Sequence, residues 1–440
     1  MSSPPHSLTR PATPTYFPAL TGVRAVAAYL VFCFHMRPFG TTDTNTGLRF
    51  WLDRVTAHGD AGVGIFFVLS GFLITIRYMN RIQPTWKWAI GYMQNRFARI
   101  YPVYFLITAL TFLVFWVHPL QAWYTWPTTF SASDKLNALM LNLLLVRSFF
   151  QDLCFMGVPA AWSLTVEECF YVTAPFVLLV IRNRPGRLIL YPAFFLSVGL
   201  LLVYLCSRFY HPYELMGTFT FMLRLTFFGR CTEFALGMGL GIWVVKRGVR
   251  SVPNQWAVTL LGIVGILGCM TMMDSILLST GSNPSKTAEW LNLLLYHVML
   301  PSTIVVLFWG LLHEQSLLRK LLETNTLSLL GKSSYCFYLI HLGLLNDVFD
   351  KYVSSGPWVK FGLDVAIAIL LYKLIEAPLQ RRLQKAPAPA TGARRQYYLV
   401  QDSDIQPVWQ KGSSSSWGGP MSTFAPTTFR SEAVKVESEA

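Results

Sequence analysis

The stretch Leu20–Gly40, LTGVRAVAAYLVFCFHMRPFG, decides how the chain is read. It is apolar over the length of a membrane helix, yet it carries Arg24 inside the run and His35 eleven residues later. Eleven residues of helix come within about 20° of three full turns, so both side chains project from one face, about 16 Å apart along the axis. Ionisable groups in hydrocarbon are expensive and are kept where they are paired or functional. The stretch therefore predicts a first span with chemistry at two depths of one face.

The rest of the chain agrees with a membrane setting. Of its 440 residues 53% are hydrophobic and 13% charged, and the apolar residues fall in long runs instead of alternating with polar ones. That pattern predicts an all-α, multi-pass membrane protein of the cell membrane, with the lipid bilayer as its first partner. The net charge of +14 is not read as a nucleic-acid surface, because Lys and Arg gather in short loops between apolar runs, where they set topology. The seven cysteines form no C-x-x-C pair, so neither a metal site nor a disulfide framework is expected.

Runs long enough to span centre near 17–36, 61–79, 97–117, 163–181, 189–207, 219–245, 255–273, 289–312, 328–346 and 358–377. About ten spans put both termini on one side. On that count five basic clusters share the side of the N-terminus: one from Arg77 to Arg99, one at Arg182–Arg187, one at Lys246–Arg250, then Arg319 with Lys320, and Arg381 with Lys385. That side is therefore expected to be cytoplasmic. The run at 137–146 is too short to cross and reads as re-entrant or interfacial. Residues 1–16 read as a disordered N-terminal tail with no cleavage site after the following apolar run, 17–385 as the transmembrane domain, and 386–440 as a disordered cytoplasmic tail.

Depth then assigns chemistry. Arg24 falls in the cytoplasmic half of the first span, and Arg96 and Arg99, three residues apart in NRFARIYPVY, share a face at the cytoplasmic mouth of the third. Together they could meet an anion from the cytosol, although an interfacial Arg also serves simply as a topology signal. On the outer side, AWSLTVEECFY puts Glu167 and Glu168 at the level expected for His35. A carboxylate on the Nδ1–H of His35 would orient the ring and raise the basicity of Nε2, as a general base requires. One of the two acids is expected instead to cap the helix that starts near Ser163. Arg230 and Glu233, three apart, read as a structural ion pair, and Gly62, Gly64, Ser70 and Gly71 as small residues that let helices pack closely. His341 and Glu376 lie in or beside spans without an assigned role.

At this point the motifs TGVRAVAAYLVFCFH, GIFFVLSGFLIT, NRFARIYPVY, WSLTVEECFY, SYCFYLIH and IEAP occur in an order that resembles the acyltransferase 3 family of integral-membrane acyltransferases, over nearly the whole chain up to the tail. The resemblance implies that 17–385 is an acyltransferase domain. It also implies transfer of an acyl group, usually acetyl from acetyl-CoA, to a hydroxyl of a sugar, polysaccharide, lipid or natural product. It makes Arg24, His35, Arg96 and Arg99 the functional positions. Thr21 stands where the family often has Asp, which leaves the partner of Arg24 open. No hydrolase-like domain follows the last span, unlike in some members, and whether a protein partner completes transfer stays open.

The resulting expectation is an O-acyltransferase in which Arg24, Arg96 and Arg99 bind cytosolic acyl-CoA as donor substrate. His35 and Glu167 form the catalytic pair, with no metal and no nucleic acid involved. His35 as base and an acyl-His intermediate are both compatible with the residues. The rival is a transporter or flippase of an anionic or acylated lipid or metabolite, against which the chain shows no repeated halves.

Overall fold

The structure, a computed structural model, describes residues 16–40, 47–117, 122–209, 212–249, 252, 255–280 and 285–384. The tails expected at 1–16 and 386–440 lie, but for Tyr16, outside the described residues. Helix α1 (Pro18–Met36) starts on Pro18, which suits a first turn because its missing N–H would be unsatisfied there anyway. It stops where Arg37 turns left-handed at φ 44°. A short amphipathic α2 (Leu48–Thr56) leads into α3 (Ala61–Tyr78), and the 32-residue α4 (Trp86–Val117) carries Pro102 within it. Next come α5 (Ala132–Leu143), α6 (Trp162–Ile181), α7 (Leu190–Cys206), α8 (Phe219–Leu225), α9 (Phe227–Arg247) and α10 (Ala257–Thr280). α11 (Lys286–Leu294) passes through a π turn at Leu295–Met299 into α12 (Leu300–His313). The chain continues with α13 (Leu317–Leu322), α14 (Asn325–Ile340), α15 (Leu344–Tyr352) and α16 (Pro357–Leu371), then a second π turn at Tyr372–Glu376 and α17 (Ala377–Leu383).

A helix stands at each of the ten predicted positions, and no strand forms among the described residues. Seven helical stretches are long and apolar enough to cross a membrane by length and composition. They fall at Pro18–Met36, Ala61–Tyr78, Trp86–Val117, Pro159–Ile181, Pro185–Cys206, Ala257–Ser279 and Lys286–His313. The other three predicted runs differ in detail. The run at 219–245 is two helices, broken at Thr226, whose extended backbone ends α8 and whose hydroxyl donates back to the Met222 carbonyl at 2.7 Å. The run at 328–346 ends after Ile340 and restarts at Leu344, because Gly343 sits at φ +95°, outside any right-handed helix. The third continues past its predicted end through the π turn into α17.

α1, α3, α6, α9 and α14 form the centre of the bundle. α3 lies antiparallel on α1 and beside α9, and small residues set the spacing. A Cβ on Gly62 would be driven into the Ala27 carbonyl oxygen, and one on Gly71 into that of Phe234. Those two glycines act as predicted; Gly64 faces the Arg230 guanidinium at ordinary contact distance. The rings of Phe67, Phe234 and Phe170 stack in sequence at 4.7 and 4.2 Å, tying α3, α9 and α6 together.

The short run near 137–146 is the 12-residue α5, capped by Ser131 with Asp134 answering in a reciprocal capping box. At 1.5 Å per residue it reaches about 18 Å, short of the ~30 Å hydrocarbon core. Beyond it the fully buried Arg147 draws the loop closed, donating to Asn142 Oδ1 at 2.7 Å and to the carbonyl oxygens of Met156 and Val158. This clamp fixes where α6 begins.

Candidate functional site

A cavity opens between α1, α3, α4, α6 and α14. Its polar lining gathers the three arginines singled out above: Arg24 from α1, and Arg96 and Arg99 from consecutive turns of α4. Arg96 is 5% exposed; its Nη2 donates to the Tyr78 hydroxyl at 3.3 Å, and its guanidinium lies 5.8 and 5.5 Å from the ring centroids of Tyr78 and Tyr171. Neither Arg24 nor Arg99 makes a hydrogen bond to another described residue. The charges acting on Arg24 are Arg99, which repels it, and Glu376 and Glu167, which attract it. No carboxylate stands within ion-pair distance of Arg24 among the described residues; the nearest attracting charges come from α6 and from the π turn. Glu376 in that turn also accepts from Cys336 Sγ at 3.1 Å. With the groups in their usual states, three guanidiniums outnumber two carboxylates.

Glu167 belongs to this cavity. Its Oε1 accepts from Ser70 Oγ at 2.6 Å and from the Tyr171 hydroxyl. The expectation that it orients His35 is thus corrected: six residues into the helical turn-and-helix that begins near Ala161, it has rotated towards the arginines. Nor does either acid cap α6, whose N-cap, Ala161, has no side-chain cap. Glu168 instead accepts from the Tyr101 hydroxyl at 3.0 and 3.2 Å. Ser70, read from the sequence only as a small packing residue, also brings its hydroxyl to this site.

At the far end of α1 His35 is exposed, and its ring partner is His341. His35 Nδ1 lies 3.0 Å from the Val31 carbonyl oxygen and 3.1 Å from His341 Nε2, while His341 Nδ1 lies 2.8 Å from the Tyr338 carbonyl oxygen. These contacts assign the protons, because a carbonyl oxygen only accepts. His341 must carry its proton on Nδ1, so its Nε2 is a lone pair. His35 must also carry its proton on Nδ1, shared between Val31 O and His341 Nε2. His35 Nε2 is then unprotonated. The carboxylate whose charge acts on this ring is that of Asp60, at the start of α3. Tyr338 joins the two levels: its side chain lines the cavity, bonded to Ser163 Oγ at 2.9 Å, and its carbonyl holds His341 one turn on.

Arg230 and Glu233 form the expected ion pair at 2.8 Å, both 1% exposed. Among the described residues no group of three or more His, Cys, Asp or Glu side chains could hold a metal ion. Sequence reasoning missed Asp60, Tyr171 and the role of Ser70, and it noted His341 without a function. The signal for His341 was its place in the quoted motif SYCFYLIH.

Comparison with known proteins follows the same residues. The chain is 25% identical over 392 residues to the O-acetyltransferase OatA of Staphylococcus aureus (strain NCTC 8325 / PS 47), covering 85% of this chain and 59% of that relative's length. It is 25% identical over 407 residues to the acyltransferase MdmB of Streptomyces mycarofaciens, covering 85% of this chain and 96% of MdmB. A putative O-acetyltransferase of Staphylococcus aureus (strain COL), SACOL0978, is 23% identical over 396 residues. The chain thus spans little more than half the length of the OatA relatives, and no solved structure matches it. The family model described as an acyltransferase domain matches residues 17–373, which include the arginine cavity and the His35–His341 pair, and the chain belongs to that acyltransferase 3 family.

Proposed function

We propose that this chain is an integral-membrane O-acyltransferase of the cell membrane, moving an acyl group, acetyl foremost, from cytosolic acyl-CoA to a hydroxyl of a carbohydrate, lipid or natural product. The observation that carries the reading is the cavity in which Arg24 and Arg99 stand without hydrogen bonds beside Arg96, with an exposed imidazole lone pair farther along the same α1. Half-buried cations with so few protein partners suit a polyanionic ligand, and guanidinium forks suit phosphate oxygens. The CoA phosphates would lie against the arginines, and the thioester would extend along the cavity towards Tyr338 and the histidines.

In the transfer step His35 Nε2 takes the proton of the acceptor hydroxyl as its oxygen attacks the thioester carbonyl. The new C–O bond forms, the C–S bond breaks, and the thiolate leaves with the proton returned from His35. Glu167, placed among the arginines, keeps Arg24 and its neighbours oriented and does not act on His35. Basic clusters on the side of the N-terminus support a cytoplasmic donor side. Kinship with O-acetyltransferases weighs against the transporter alternative.

The test is to incubate the purified protein with radiolabelled acetyl-CoA and hydroxyl-bearing acceptors. Consumption of thioester with label on the acceptor is the expected result; binding without consumption would reject the enzyme.

A further inference from the structure

His341 is the only side chain bonded to the ring of His35 among the described residues, and it comes from a helix 306 residues away in the chain. It is fully buried and lies nearly parallel to the Phe337 ring, at 3° and 6.1 Å between centroids. Both of its nitrogens are engaged, Nδ1 on the Tyr338 carbonyl and Nε2 on His35. A buried ring held at both ends and against one face has little freedom to turn.

We propose that His341 is a positioning residue for acyl transfer. It fixes His35 as the Nδ1–H tautomer, keeps Nε2 free as the base, and stabilises the imidazolium that forms when Nε2 takes the acceptor's proton. The inference rests on the general-base reading of His35 and adds the residue that makes that reading possible. Val31 O alone would also accept the Nδ1 proton, but it belongs to the helix that carries His35 and cannot fix the ring relative to α14. Only His341 ties the base to the helix whose Tyr338 lines the donor cavity. No net proton is gained or lost by His341: its lone pair accepts a hydrogen bond before and during the step.

Two amides separate this role from simple space filling. His341→Asn places an N–H near the position of Nδ1 and can keep the bond to Tyr338 O, but it is too short to reach His35. His341→Gln extends to the position of Nε2 and offers Oε1 as acceptor to His35 Nδ1–H. Loss of a hydrogen bond to a charged group corresponds to about ten- to hundredfold in rate. The expected result is therefore a kcat lowered by about that factor in His341→Asn, recovery of most of it in His341→Gln, and an unchanged acyl-CoA KM in both. Equal kcat values in the two variants would overturn the proposal. So would a loss of donor binding in step with kcat, which marks a structural role. His35→Gln, assayed alongside, separates the two readings. If it turns over, the general-base reading itself falls; if it is inactive while the two amides at 341 match, only the pairing falls.

Discussion

Arg147 and Arg99 are both guanidiniums inside a helical bundle, but Arg147 donates to three oxygens, of α5 and of the loop after it, while Arg99 lines a cavity and donates to no described residue. That difference separates a cation serving the fold from one available to a ligand. Arg96→Ala or Arg99→Ala should raise the acyl-CoA KM by roughly one to two decades, since each charged hydrogen bond contributes about 1.5–3 kcal/mol. Lys should restore only part of it, lacking the fork; donor titration of the four variants checks this. Glu167→Gln keeps an oxygen for Ser70 and Tyr171 but removes a charge from beside Arg24, so its effect should fall on donor KM with kcat near wild type. A lost kcat at normal donor binding would return Glu167 to the catalytic step. The arginines were legible in the sequence because burial of a cation in an apolar run is costly wherever it packs. The partner of His35 was not, because spacing along one helix fixes a face but not which other helix meets it.

At the scale of elements, the helices were legible and their breaks were not. Apolar length marks a helix in hydrocarbon whatever its neighbours are, and all ten predicted runs are helical. Thr226 and Gly343 break two of them inside apolar sequence, where the hydroxyl bond to Met222 and a left-handed glycine do what no change of polarity announced. Glu167 was placed at the wrong level for a related reason: sequence gives its position along α6 but not which neighbours, here Ser70 of α3 and Tyr171, receive its carboxylate. Arg147→Ala should destabilise the protein by about 3 kcal/mol or more, because it strands buried acceptors and opens the clamp ahead of α6. Thermal unfolding in detergent measures it, and Lys should not rescue. Gly71→Leu should separate α3 from α9 and lower stability similarly, with donor affinity falling as the cavity wall moves.

At the scale of the whole molecule, one helix, α1, carries both a cation of the proposed donor cavity and the proposed base, so the two chemical levels are joined by a rigid rod. The orientation of that rod rests on the basic loops. Cysteine labelling from outside, in a background without native cysteines, should modify positions near both Trp126 and Asp152, as expected if α5 returns to the side it left. Labelling near Asp152 only from inside would reverse the sidedness of α6 and of everything after it. Acyl transfer through His35 is tested most directly by His35→Gln at matched membrane levels, with acyl-CoA binding measured in parallel. The amide can hydrogen-bond but cannot accept a proton at neutral pH. Wild-type donor binding with no transferred label is the predicted result, and substantial turnover by His35→Gln would contradict it.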